Sequence, residues 1–121
     1  MPYPVMQQNE PIVVDATIAA SGSLSGAVHL PNGHALVGIL MPAAWDTAAL
    51  TFQVSLDGTT FQNAYVAAGT EVSVTAAAAT TIALDPATWL HARYLKVRSG
   101  TAASAVNQTA ARTVGLILRP V

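Results

Sequence analysis

The stretch from Ala49 to Val66 constrains this chain more than any other. Leu50, Phe52, Val54 and Leu56 alternate with Thr51, Gln53 and Ser55. Successive side chains of a strand point to opposite faces, so this alternation marks a strand with one buried side. Asp57-Gly58 follows directly. Between alternating runs, Asp-Gly is a strong hairpin signal, because a type I′ turn needs positive φ at both central residues. The apolar pattern restarts at Phe61, which predicts a hairpin with strands over 50–56 and 59–66.

The rest of the chain continues in short β segments. Ile12, Val13 and Val14 are strong β-formers and set a first strand over 11–18. A turn at Ala20–Ser23 leads to a strand over Leu24–Leu30. Pro31-Asn32-Gly33 is a turn, with Pro fixing one φ and Gly accepting positive φ. His34–Met41 is apolar on both faces and belongs in the middle of a sheet. Pro42–Ala49 connects it to the hairpin and has room for one helical turn. Glu71–Thr75 alternates again, Ala76–Ala79 is loop or strand edge, and Thr81–Leu84 is a short strand. Asp85-Pro86 offers an N-cap followed by Pro at the first helical position, hence a single helical turn. In Arg93–Arg98, Leu95 and Val97 point inward while Tyr94, Lys96 and Arg98 face out, so that Lys96 and Arg98 guard a sheet edge. Asn107 and Gln108 fall in a polar loop, and Arg112–Leu118 closes the sheet with Val114, Leu116 and Leu118 on one face. About nine short strands at turn spacings of roughly 8–12 residues indicate an all-β sandwich or barrel with one or two short helical turns.

Composition bears on what such a domain does. Charged residues are only 9% of the 121, hydrophobic residues are 52%, and the mean hydropathy is +0.45. An ordinary soluble domain is about 25% charged. No apolar run reaches the ~18 residues of a membrane helix. A net charge of −1 argues against nucleic acid and anionic membrane as partners. Two readings remain: much of the surface is covered by other protein chains, or a compact domain is coated with Thr, Ser, Gln, Asn and Ala. Residues 1–10 form an irregular arm ahead of a single domain over 11–121. That arm is either a loose tail or a segment laid on a neighbouring subunit, with Tyr3, Val5 and Met6 as its anchors. It has no basic n-region or apolar h-region, so no signal peptide is expected.

Residues of catalytic type are sparse. The three histidines, His29, His34 and His91, are not at ligand spacing with a carboxylate alongside, and His34 and His91 read as partly buried polar caps of strands. Asp57 with Asp46 or Asp85 is the one conceivable calcium set, but a turn role for Asp57 and a cap role for Asp85 account for both. Gly22–Gly26 lacks Ser at its centre, where Leu24 stands, and is no nucleophile elbow. Trp45 and Trp89 are either plugs of the core or a stacking platform for a glycan. All five Lys and Arg, at 93, 96, 98, 112 and 119, fall late in the chain and read as a solvated edge or as salt bridges to a neighbouring chain. No catalytic residue, metal or cofactor is expected.

Two segments carry a resemblance. Phe52–Phe61 resembles the F-x-V-S-x-D-G-x-x-F hairpin of galactose-binding-like (discoidin-type) jelly rolls, and Ala92–Val97 resembles the A-R-Y-x-K-V strand that follows it in those domains. From Gly38 onward the chain is also similar to small structural proteins of tailed bacteriophages, through Met41–Gly58, Arg93–Thr101 and the late Asn107, Gln108 and Arg112. The resemblance implies a jelly-roll sandwich and a non-enzymatic virion component. That component would be a capsid decoration (cement) protein touching the major capsid protein or other virion proteins, and a trimer if it follows a capsid threefold. The alternatives it leaves are a carbohydrate-binding module of a head or tail accessory protein, and a tail or baseplate component.

Overall fold

The structure is a computed structural model that describes residues 10–121. The expected arm contacts at Tyr3, Val5 and Met6 lie outside the described residues. Among the described residues, eight strands form two four-stranded sheets. The strands are β1 (Ile12–Ile18), β2 (Val28–His29), β3 (His34–Leu40), β4 (Leu50–Ser55), β5 (Gln62–Asn63), β6 (Thr81–Ala83), β7 (Tyr94–Ser99) and β8 (Arg112–Pro120). One sheet runs β1-β8-β3-β6 and the other β2-β7-β4-β5, and every pairing is antiparallel. A 3₁₀ turn at Pro86–Trp89 is capped by Asp85, whose carboxylate accepts from the Ala87 N–H at 3.0 Å. Pro42–Ala49 stays irregular.

One apolar core lies between the sheets. Leu36, Ile39, Val114, Leu116 and Leu118 face it from one side, and Leu50, Phe52, Leu95 and Val97 from the other. Trp89 is buried among them with its ring edge-on to Phe52, centroids 4.7 Å apart. The 3₁₀ turn thus plugs the sandwich with the largest side chain available.

The structure departs from the sequence reading at several places. The strand expected over 24–30 shrinks to Val28–His29, with a lone bridge from Leu24 to Arg98. Ser25 is the cause: its hydroxyl accepts the Val97 N–H at 2.9 Å, so a side chain takes the place of a ladder carbonyl. The 71–75 run likewise makes only isolated bridges, Tyr65 to Glu71 and Leu50 to Val74. The Asp57-Gly58 turn is not type I′, because only Gly58 has positive φ (82°). Pairing of Val54 with Gln62 leaves a wider loop, in which Asp57 Oδ1 accepts from the N–H groups of Thr59 and Thr60 and from the Ser55 hydroxyl. These bonds hold the Asp57 carboxyl down to about 2, the Thr60 N–H contributing most. Lys96 and Arg98 do not guard an edge, since β7 lies between β2 and β4 and Arg98 is buried. His91 is exposed rather than a buried cap, while His34 is half-buried.

Candidate functional site

Alternation along β1, β8 and β3 sends one set of side chains into the core and leaves the other on a face that no element among the described residues covers. The register aligns Val13 with Ile117, Ile117 with Gly38 and Gly38 with Ala83; the next row is Asp15, Gly115, Leu40 and Thr81. Val13 is 52% exposed and Leu40 46%. They close over Gly115, where a Cβ would fall 2.9 Å from Val13 Cγ1 and 3.1 Å from Leu40 Cβ. Gly38 gives Ile117 similar room, a Cβ there standing 3.3 Å from its Cδ1. The result is an apolar patch of Val13, Leu40 and Ile117 floored by two glycines, with Asp15 and Thr81 exposed in the same rows. At its margin Thr17 and Thr113 share a hydrogen bond of 3.1 Å. β1 is the edge strand of this sheet and has no ladder partner on its outer side among the described residues.

Two polar clamps fix the loops around the opposite sheet. In the first, Arg98 reaches Thr51 Oγ1 through Nε (2.9 Å), Asn63 Oδ1 through Nη1 (2.9 Å) and Glu71 Oε2 through Nη2 (2.7 Å). Thr51 in turn donates its hydroxyl hydrogen bond to the Gly100 carbonyl at 2.7 Å. Guanidinium and carboxylate are both largely buried, with side-chain exposures of 8% and 16%. In the second, the fully buried Gln108 accepts from the Asp46 N–H and from Arg112 Nε, and donates to the Asp46 carbonyl and Ser99 Oγ. Arg112 Nη2 meets the Asp46 carboxylate at 2.7 Å, and that bond, followed by the Thr109 N–H, holds the Asp46 carboxyl below its ordinary range. The ion pairs expected toward a neighbouring chain are therefore closed within this one at Arg98 and Arg112.

Two grooves open on the surface. One, of about 500 Å³, is lined by Val54, Asp57, Gln62, Asn63, Tyr65 and His91, with Tyr65 56% exposed. The other, of about 470 Å³, is lined by His29, Asn32, His34, Leu90 and Arg93 beside Val121. Trp45 and Trp89 border neither. Trp89 is 2% exposed and offers no open ring face to a sugar. Trp45 is half-buried against the core and donates its indole N–H to the Ala48 carbonyl at 3.1 Å. The aromatic ring that does face a groove, Tyr65, carries no local sequence signal: it stands in a loop pinned by its bridge to Glu71. Among the described residues no three His, Asp or Glu side chains gather as a metal would require. No protein-family model matches the chain, and no curated protein matches its sequence.

Proposed function

We propose that the chain is a non-enzymatic structural protein of a tailed-bacteriophage virion, a jelly-roll capsid decoration protein that works by protein–protein contact. The observation that supports it is the uncovered face of Val13, Leu40 and Ile117 over Gly38 and Gly115. Apolar patches of this kind mark interaction surfaces. A rigid sandwich repeated around a particle would sum many weak contacts through avidity. In this reading the face, together with the 1–10 arm, meets the major capsid protein or further copies of the chain, a trimer satisfying a capsid threefold. The experiment is addition of the purified chain to emptied capsids. Saturable binding that Val13→Lys with Leu40→Lys abolishes is expected. A strictly monomeric chain that ignores particles refutes the reading.

A second reading, a carbohydrate-binding module, draws on the groove beside Tyr65. An exposed aromatic ring next to the amides of Gln62 and Asn63 and the carboxylate of Asp57 is suitable chemistry for a neutral sugar. Glycan-array binding lost in Tyr65→Ala favours it over the contact role.

A further inference from the structure

The cationic groups of this protein are few, and almost all are absorbed by the fold. Arg98 is bound by Glu71, Arg112 by Asp46, and Lys96 sits 4.5 Å over the Phe61 ring. Arg119 is engaged as well. Arg93 is exposed, and among the described residues no carboxylate pairs with it. It opens onto the second groove together with His29 and His34, two of the three histidines. No Asp or Glu side chain lines that groove.

The local structure holds these groups in place. The Arg93 carbonyl accepts the Leu30 N–H at 2.8 Å, which fixes its backbone beside the end of β2. The His29 ring lies on Tyr94, centroids 4.9 Å apart. The Pro31–Gly33 turn is closed by the His34 N–H on the Pro31 carbonyl at 3.0 Å. His34 Nδ1 contacts the Asn32 carbonyl at 3.2 Å. A carbonyl only accepts, so Nδ1 carries a proton and donates it to this contact. The Gly33 carbonyl accepts the Val121 N–H at 2.8 Å and so joins the end of β8 to the turn.

We propose that this groove is an oxyanion-binding site, taking a sulfate, phosphate or carboxylate group between Arg93, His29 and His34. Its size suits a small ligand. Arg93 supplies a permanent charge and a planar fork of donors that matches oxyanion geometry. The two imidazoles add ring N–H donors to the same opening.

The test is titration of the full chain with sulfate at fixed neutral pH, followed by amide chemical shifts. Shift changes confined to residues 29–34 and 90–93 are expected. Arg93→Gln should remove binding, and its unchanged thermal unfolding shows that the fold survives. His29→Gln with His34→Gln should weaken binding about tenfold. Glucuronate and acetate then separate the sources of the anion: tighter glucuronate binding points to an acidic sugar, equal binding to a free carboxylate. Absence of binding, shifts scattered over other cationic residues, or wild-type affinity in Arg93→Gln or in the double histidine variant overturns the site.

Discussion

Replacing Gln108 by Ala is the most informative single change in this protein. The side chain is fully buried and makes four hydrogen bonds, to the Asp46 N–H, the Asp46 carbonyl, Ser99 Oγ and Arg112 Nε, at 2.8–3.1 Å. Its main chain makes two more, with Gly22 and Ser21. Truncation leaves the main-chain bonds but orphans the four side-chain partners. Ser99 is fully buried and stays dry, at about 1–3 kcal/mol for one unsatisfied group. Arg112 and Asp46 are partly exposed and recover some hydration, so roughly another 1–2 kcal/mol is lost there. The sum is about 4 kcal/mol. For a chain of this length, roughly 4 °C in Tm accompanies each kcal/mol, hence a fall of about 15 °C. Urea unfolding with an unchanged m-value is the assay. Gln108→Leu should be no better, because it fills the space without satisfying anything. A loss below about 1 kcal/mol in both variants would show that the clamp is replaced by water and that the reasoning is wrong.

Three further outcomes are expected. Arg98→Met should destabilise by about 3–5 kcal/mol in chemical denaturation by leaving Glu71 buried and unpaired, whereas Arg98→Met with Glu71→Leu should recover most of the loss; a double variant as weak as the single one contradicts this. Asp57 has a lowered carboxyl in the folded chain, so its contribution is complete above the unfolded value near 4 and is lost as pH falls toward about 2. Asp57→Asn should therefore narrow the stability gap to wild type over that interval, measured by unfolding at stepped pH. Gly100→Ala should cost about 3 kcal/mol or more, since φ is +91° and a Cβ would stand 2.5 Å from the Ser104 carbonyl; a Tm within a degree or so of wild type counts against that crowding.

How much of this was legible in the sequence follows from the range of each interaction. Phe52, Leu95, Val97, Leu116 and Leu118 announced their burial because alternation is local. So did the Pro31–Gly33 turn and the Asp85 cap, each of which acts within a few residues. Arg98, Thr51 and Gln108 gave no such notice. Each is polar, and each is buried because its partner arrives from a distant segment: Arg98 meets Glu71, Thr51 meets Gly100, Gln108 meets Asp46. The Asp57-Gly58 turn was legible as a turn but not by type, since the Asp57 side chain, by gathering Thr59 and Thr60, sets a longer loop than the dipeptide alone suggests. Of the residues that line the two grooves, His29, His34, His91 and Asp57 are of functional type, but nothing along the chain joins His29 and His34 to Arg93. Pairing of β2 with β7 brings His29 beside Arg93, and the Pro31–Gly33 turn brings His34 back to them.

The two closed ion pairs also govern how the molecule behaves toward its surroundings. Four of the eleven charged side chains, five basic and six acidic, are spent on one another inside the fold. Ionic strength acts on charges that reach solvent, and these two pairs are largely withdrawn from it. Under the proposed contact role, docking on the Val13–Leu40 face would be governed mainly by water release, so it should persist in concentrated salt and strengthen in sulfate. Its selectivity would then rest on the shape of a glycine-floored sheet face more than on steering by charge.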